Sequence, residues 1–451
     1  MVNLYFQPDA QMTVPDRMVM DILQKEYDQH QDSSKPKRED SDDSLSSSPK
    51  KHTRFESDSP EDIQELSTQT LAHLKALNDP SSKSFEPTVF VSVDYPDIQS
   101  PLLRKYIIEP YTRWARTVVR VETDVVMLTH LFLYLFTSIP SALYLFYNFH
   151  WWHAPLHAAM QLYYMGSYTL MMHQHIHMRG ILSKKFSFID AAFPYILDPL
   201  MGHTWNSYYF HHVKHHHVEG NGPNDLSSTI RYQRDDPLHF LHYVGRFYFL
   251  IWLDLPLYFI RNRKLELALK AGGCEMASYA FLWSMFTKVD KRATIFVFLI
   301  PLAIMRLGMM IGNWGQHAFV DEVEPTSDFR SSITVIDVPS NRYCFNDGYH
   351  TSHHLNPLRH WRDHPSAFLA QKSQYAAEHA LVFYNIDYLM ITFSLLRKDY
   401  MHLARCLVPV NDHQMGMTLE ERAEYLRGKT KRFEEGEVMG KWGVKGDGKS
   451  K

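Results

Sequence analysis

The segment His211-His-Val-Lys-His-His-His217 places five imidazoles within seven residues. Histidine is a weak helix former and is usually only partly buried, so core packing gives no reason for this concentration. If the segment is α-helical, then His212, His215 and His216 share one face, because they lie at positions i, i+3 and i+4. Neutral imidazole is the commonest metal ligand, so this face predicts a metal site. For an isolated run of this kind, a solvated basic patch is the alternative interpretation.

The segment holds more histidines than a single ligand set needs, so other registers are open. One register pairs His211 with His215, and another pairs His212 with His216 and His217. We prefer His212, His215 and His216, because this choice gives the spacing HxxHH. The register therefore stands as an expectation for the structure to test.

Three more clusters elsewhere in the chain make a solvated patch a poor explanation. They are His173-x3-His177, His350-Thr-Ser-His353-His354, and Asn313-Trp-Gly-Gln316-His317 at the end of an apolar stretch. Nine imidazoles are too many for one tetrahedral zinc ion, but they suit two metals with four or five ligands each. Imidazole binds iron, zinc and copper, so the ligands alone leave the metal open. The predicted metal ligands are His173, His177, His212, His215, His216, His317, His350, His353 and His354.

The composition narrows the class of protein. The chain has 451 residues, with 47 basic residues against 50 acidic ones and 14% aromatic residues. This charge balance, and the lack of a basic-aromatic motif, argue against a nucleic-acid partner. Three scattered cysteines predict no disulfide framework.

The polarity changes along the chain predict three regions. Residues 1–100 are polar and are expected to be disordered or regulatory, with Ser, Asp, Lys and Pro concentrated in 30–62 and a short amphipathic helix over 61–78. Residues 101–410 form the catalytic domain, and 411–451 form a polar C-terminal tail.

The hydrophobic middle predicts a membrane protein. Val125 to Phe149 is long enough to cross a hydrocarbon layer of ~30 Å, and a less apolar span over 153–172 returns the chain. A third and a fourth span are predicted at about 272–287 and at 293–314. Residues 240–260 contain Arg246 and Asp254, so they are assigned to an interface.

This arrangement brings all the histidine clusters to one membrane face. The rival topology pairs 240–260 with 293–314, and the sequence favours neither, because each places a basic loop on the far side. The predicted fold class is therefore an all-α integral membrane protein with about four transmembrane helices. A cytosolic helical cap carries its histidine-ligated two-metal site.

The patterns HxxxH, HxxHH and HxxHH, in this order and separated by hydrophobic spans, resemble the membrane fatty acid desaturase and hydroxylase superfamily. The tail of the third pattern, His354-Leu-Asn-Pro357, is also similar to the HHLxP pattern of that family. The resemblance covers roughly 120–400 and implies a non-haem di-iron centre that uses O2 as a co-substrate. It also implies that His317 is an extra iron ligand and that Asn313 holds iron through a water molecule.

The resemblance implies a fatty acyl desaturase, an oxidoreductase that acts on a lipid within the membrane. No His-Pro-Gly-Gly motif typical of cytochrome b5 is present, so the electrons are expected from a separate donor such as cytochrome b5 or ferredoxin. Asp225, Asp347 and Asp321 are candidates for orienting the ligand imidazoles from outside. The absence of a secretory leader and of a transit peptide, together with internal spans, predicts a multi-pass protein of the endoplasmic reticulum.

Two alternatives stay open at this point. The first is hydroxylase or ketolase chemistry, which uses the same ligands within the superfamily. The second belongs to another class: a histidine-rich membrane metal transporter or a non-catalytic scaffold. A transporter is disfavoured because the histidines lie at the ends of spans rather than inside them.

Overall fold

The computed structural model describes residues 9–33 and 59–443. The described chain is mostly helical, and its helices fall into three groups along the sequence. The helices before the long apolar segments are α1 Val14–Ser33, α2 Pro60–Asn78, α3 Pro101–Leu103 and α4 Glu109–Val118.

The central group contains the longest helices. They are α5 Val125–Tyr147, α6 His153–Met178, α7 Ser187–Leu200, α8 His217–Glu219, α9 Pro237–Arg261, α10 Leu265–Ser284, α11 Lys291–Thr294 and α12 Ile300–Gln316. Within the described residues, five π-helical segments occur at Arg104–Ile108, Tyr209–His216, Met285–Val289, Ile295–Leu299 and Val338–Tyr343. Short 3-10 turns occur at Tyr95–Asp97, Lys184–Phe186 and Trp361–Asp363.

The third group consists of short helices. They are α13 Asp328–Ser331, α14 His350–Leu355, α15 His364–Ala370, α16 Lys372–Ala377, α17 Tyr388–Leu396, α18 Tyr400–Cys406, α19 Asp412–Gly416, α20 Leu419–Gly428 and α21 Glu435–Trp442. Together with α1 and α2 they form the part of the molecule that we name the cap.

Three helices of the described chain are long and apolar enough to cross a membrane. They are Val125–Tyr147, Pro237–Arg261 and Lys291–Gln316. The last one joins α11 and α12 through a π-helical segment. The sequence predicted about four spans and a different set, with α6 and the region of α10 crossing and α9 at an interface. Both α6 and α10 are helices, but they are more polar than the three helices that could cross a membrane.

The outcome for α9 has a physical reason. The interior charges Arg246 and Asp254 argued against a span, yet the two side chains contact each other, with 3.4 Å between Arg246 Nε and Asp254 Oδ2. An ion pair within one helix lowers the cost that two separate charges would carry.

A small sheet corrects the all-α prediction. Strands β1 Ile333–Ile336, β2 Leu381–Tyr384 and β3 Leu407–Val408 form one three-stranded sheet in that order. β1 and β2 are parallel, with Ile333 opposite Leu381, whereas β2 and β3 are antiparallel. All residues of these strands are buried, so they lack the alternation of apolar and polar residues that marks a half-exposed strand.

The sheet positions two histidine clusters. β1 begins sixteen residues after His317, and the crossover from β1 to β2 contains α14, which carries His350, His353 and His354. Gly348 lies so close to β1 that a Cβ there would approach the Val335 carbonyl oxygen to 2.3 Å. Only glycine permits this contact, which fixes the entry to α14.

The N-terminal region is more ordered than its polarity suggested. α1 buries Val19, Met20, Ile22 and Leu23 against the other elements of the cap. The prediction of disorder over 1–100 is therefore wrong for this helix. α2 starts at a capping box in which Ser59 Oγ accepts from Asp62 N, as expected for the predicted amphipathic helix. The predicted disorder of 30–62 falls largely on 34–58, which lie outside the described residues.

The C-terminal region is also folded as far as residue 443. α20 buries Ala423 and Leu426 in a core that includes β1 and β2. The region predicted as a polar C-terminal tail, 411–451, thus contains helices up to residue 442.

Candidate metal centre

Two groups of imidazoles converge where the ends of α6 and α12 meet the cap. The first imidazole group consists of His173, His177, His212, His217 and His353, and the second consists of His216, His317, His350 and His354. The ligand atoms within each group lie within 4.8 Å of one another. Neighbouring residues link the groups, since His216 and His217 are adjacent in sequence, as are His353 and His354.

Four nitrogens of the first group form a closed ring. The Nε2 atom of His173 lies 2.9 Å from that of His212 and 3.0 Å from that of His353. His217 Nε2 completes the ring at 3.0 Å from His212 Nε2 and 2.8 Å from His353 Nε2. Four donor nitrogens this close to one another converge as the ligands of one metal ion do.

The fifth imidazole of this group lies to one side of the ring. The ring centroid of His177 is 4.8 to 5.1 Å from those of the four others. Its Nε2 atom is buried and has no hydrogen-bond partner among the described residues. Each neutral imidazole carries only one N–H, so hydrogen bonds alone cannot satisfy five converging nitrogens. A bound metal ion satisfies all of them.

The second group is held from outside as well as from within. His317 Nε2 lies 3.2 Å from His350 Nε2, which lies 3.1 Å from His354 Nε2. His317 Nδ1 donates to the Ser331 carbonyl oxygen at 2.8 Å, and His216 Nδ1 donates to the Asp225 carboxylate at 2.7 Å. These contacts turn the other ring nitrogen of both imidazoles toward the centre.

Burial favours the neutral form of His177, His317 and His353. It lowers the pKa of His177 to about 4, with a further contribution from the neighbouring imidazoles His354 and His216. Burial followed by neighbouring imidazoles also lowers the pKa of His317 and of His353 well below the usual value. The neutral form is the one that ligates a metal, so the donor set fits one.

The second histidine segment departs from the preferred register. The structure places His217 in the first group and leaves His215 outside both groups. The reason is the π-helix over Tyr209–His216, in which the His217 N–H bonds to the His212 carbonyl oxygen, five residues back. A π-helical turn therefore aligns His212 with His217, whereas the prediction assumed α-helical spacing.

The structure brings the other histidines predicted as ligands into the two groups. His173 and His177 come from the end of α6, and His350, His353 and His354 come from α14. His317 follows the last residue of α12 and joins the second group. His175 contacts the Asp190 carbonyl oxygen at 3.0 Å instead, away from both groups.

Asn313 lies one helical turn before His317 and lines the cavity beside the second group. Its amide nitrogen donates to the Ser227 carbonyl oxygen at 2.9 Å and contacts the Tyr243 hydroxyl at 2.7 Å. Its role as a ligand through water stays a prediction.

The three acidic candidates have different partners. Asp225 is buried and contacts the ligand-group residue His216. Asp347 accepts from Gln316 Nε2 at 3.2 Å, and Asp321 pairs with Lys429 at 2.6 Å. A carboxylate that the sequence interpretation missed, Asp328, lies 3.7 Å from His354 Nδ1. Its position at the start of a four-residue helix gave no pattern to find it by.

A cavity of about 410 Å³ extends from the imidazole groups between α6 and α12. Its apolar wall includes Leu162 and Met165 of α6 and Ile304 and Met309 of α12. His173, His212, His216 and His350 reach the same cavity. Its volume and its largely apolar lining are typical of a site for an apolar ligand.

The family model for fatty acid desaturases matches residues 149–385, which is more than half of the chain. The chain belongs to the fatty acid desaturase family. Comparison with curated proteins and with solved structures gave no significant match. The family and the three apolar helices together indicate a membrane oxidoreductase of the desaturase and hydroxylase superfamily.

Proposed function

We propose that this protein is a fatty acyl desaturase that acts on a membrane lipid and uses a di-iron centre with O2 as co-substrate. The observation that carries the proposal is the pair of imidazole groups at the end of an apolar cavity. Five donors in one group and four in the other suit two metal ions in adjacent positions. Of the candidate metals, iron is the one with which this protein family oxidises lipids.

Each part of the chain has a defined task in this proposal. The first imidazole group holds one iron and the second group holds the other, with Asn313 as a ligand through water on the side of the second group. Asp225 and the Ser331 carbonyl oxygen orient His216 and His317. Two irons held in this way would supply an oxidant strong enough to remove hydrogen from an unactivated methylene, with electrons from a separate carrier.

The cavity supports the assignment of a lipid substrate. Leu162 and Met165 of α6 and Ile304 and Met309 of α12 line it, so apolar side chains of two helices are available to an acyl chain. Such a wall aligns the chain and excludes water from the metals. We expect the carrier to be cytochrome b5 or a ferredoxin, and the location to be the endoplasmic reticulum, with the imidazole groups on the cytosolic side.

Two measurements test the proposal. The full chain is expressed in a heterologous host, and the host lipids are analysed for new double bonds by mass spectrometry. The purified protein is expected to contain about two irons per chain in these two groups. The variant His353→Ala serves as the inactive control.

The opposite results are equally specific. Protein that contains zinc alone and consumes no oxygen with any lipid contradicts the proposal. New hydroxyl or keto groups in place of double bonds assign the chain to the hydroxylase or ketolase chemistry of the same superfamily. Metal uptake into vesicles without a lipid product assigns it to transport.

A further inference from the structure

Two histidines of the crowded segment are not used by either imidazole group. His211 and His215 lie one turn apart on the π-helical segment and, together with Asp225, bring three possible metal-ligand atoms within 4.8 Å of one another. The two histidines form one helical register of the segment His211–His217, and neither imidazole group uses that register.

His215 has a buried nitrogen without a partner. Its side chain is 0% exposed, and its Nδ1 atom has no hydrogen-bond partner in the described part of the chain. Its Nε2 atom lies 3.2 Å from both the Asn224 carbonyl oxygen and the Leu226 N–H. Either tautomer satisfies only one of these, and Nδ1 stays unpaired in both, 3.8 Å from Asp225 Oδ1. An unpaired buried nitrogen is costly, so a ligand is expected at this position.

Asp225 brings a negative charge to the same place. Its carboxylate is 0% exposed, and its ion-pair contacts within the described residues are to the imidazoles of His215 and His216. Oδ1 also accepts from Ser227 N at 2.8 Å and from Ser227 Oγ at 2.7 Å. These hydrogen bonds fix the orientation of the carboxylate without supplying a formal positive charge. A buried carboxylate of this kind is stabilised by a cation.

His211 supplies the third donor. Its Nε2 atom is buried and also lacks a hydrogen-bond partner among the residues that the structure describes. The ring centroids of His211 and His215 are 5.4 Å apart. His211 lines the cavity beside the imidazole groups as well, which leaves an open side where water can complete the coordination of a metal.

We propose that His211, His215 and Asp225 hold a third metal ion, a divalent transition ion such as Zn²⁺ or Fe²⁺. Two imidazoles and one carboxylate are a donor set that both ions accept. The site shares Asp225 with His216 and shares its helical segment with His212 and His217. A metal here therefore fixes the uncommon π-helical register on which the two imidazole groups depend.

The experiment counts metals in the full-length protein purified in detergent. The protein is stripped with a chelator and reloaded with Zn²⁺ in one arm and with Fe²⁺ in the other. We expect about three metals per chain in at least one arm. The variants His211→Gln and His215→Gln are each expected to lose about one metal per chain in that arm. His203→Gln is the matched control, since His203 is a neighbouring histidine that hydrogen-bonds to Thr169 Oγ1 at 2.9 Å.

Wild-type protein that saturates at two metals in both arms overturns the proposal, as does a His211→Gln count equal to that of the control. If the variants do not fold, the wild-type count decides alone. Three metals with zinc and two with iron identify the third site as a zinc site. The count does not depend on turnover, so protein that binds three metals but oxidises no lipid supports this site while contradicting the proposed desaturase function.

Discussion

The two imidazole groups are held in place in different ways. In the second group, the outer nitrogens of His216 and His317 donate to Asp225 and to the Ser331 carbonyl oxygen. In the first group, the outer nitrogen of His173 is buried without a partner among the described residues, and the imidazoles contact one another instead. Outer acceptors orient a ligand and raise its basicity. The second group therefore depends in part on residues around it, through His216 and His317, although the outer nitrogen of His350 is also buried without a partner among the described residues. The first group depends more on the contacts between its own imidazoles.

Removing a ligand of the second group is expected to have the largest effect. We predict that His317→Ala abolishes lipid oxidation and lowers the iron content by about one per chain, because three imidazoles are left for that metal. The protein should still insert and accumulate, since His317 ends α12 without contributing to its apolar surface. Product analysis and iron determination on the same membranes check this.

His175→Ala is the control for His317→Ala. His175 lies on α6 between two ligand-group residues but contacts the Asp190 carbonyl oxygen, so much of the activity should remain. Full activity in His317→Ala, or an iron loss in His175→Ala as severe as in His173→Ala, contradicts the assignment.

The placement of His217 in the first group is tested by removing its imidazole. We predict that His217→Ala loses oxidation and the iron of the first group, because it removes one corner of the nitrogen ring. Lys214→Ala, in the same π-helical segment, is the control, since its ammonium group lies over the Tyr209 ring, away from the imidazoles. Iron content and product yield are measured for both. An active His217→Ala with two irons would restore the register expected from the sequence.

Asp225→Asn sharpens the comparison, because it changes the outer acceptor of His216 without removing a ligand of either imidazole group. We expect a loss of about 10- to 100-fold in iron affinity at the second group, the usual effect of removing such a partner. The iron of the first group should be retained. Asp321→Asn, which changes a carboxylate paired with Lys429, is the control, and competition with a chelator measures the affinities. Equal loss from both groups would contradict the difference between them.

The smallest effect concerns the support of the second group by α1. Tyr349 precedes His350, and its hydroxyl donates to the buried Asp16 of α1 at 2.7 Å. Burial raises the pKa of Asp16 to about 6, although the Tyr349 hydrogen bond lowers it in part. The folded chain thus binds a proton that an unfolded aspartate, with a pKa of about 3.9, has released. Stability from this group is present below about pH 4 and is lost as the pH rises through 6.

We therefore predict that Asp16→Asn raises the unfolding free energy at pH 7.5 by at most about 3 kcal/mol. The gain should be nearly lost near pH 4, where the folded carboxyl is protonated and the unfolded one is about half protonated. Asp21→Asn, an exposed position on the same helix, is the control. Melting temperatures in detergent at the two pH values check the prediction, and a gain that does not depend on pH would contradict it.

The sequence predicted much of the site because ligand spacing is a local property. HxxxH at the end of α6 and HxxHH on α14 obey α-helical periodicity, and the long apolar stretches mark the segments that bring them together. His317 was found from its position at the end of such a stretch. His217 was not chosen, since a π-helix has no known signature in residue type and shifts the periodicity by one residue.

The parts of the fold that the sequence missed depend on contacts between distant residues. The strand β1 has four residues, and its pairing with β2 joins positions almost fifty residues apart. The burial of α1 depends on its contact with the cap, and its mean composition gave no sign of it. The contact between Arg246 and Asp254 likewise makes α9 a better candidate for a membrane span. Composition alone counts both charges as unfavourable.

The π-helix over Tyr209–His216 also makes the site sensitive to the length of the chain. A π-helical turn contains one residue more than an α-helical turn, so the segment is equivalent to an α-helix that has gained a one-residue insertion. Deletion of Val213 would return it to α-helical pairing and rotate every later side chain by about 100° relative to the earlier ones. The histidine run can therefore present two alternative sets of imidazoles to the metals, which differ by one residue in helical register. A single inserted or deleted residue decides which set of imidazoles faces the metals, whereas most substitutions leave the register unchanged.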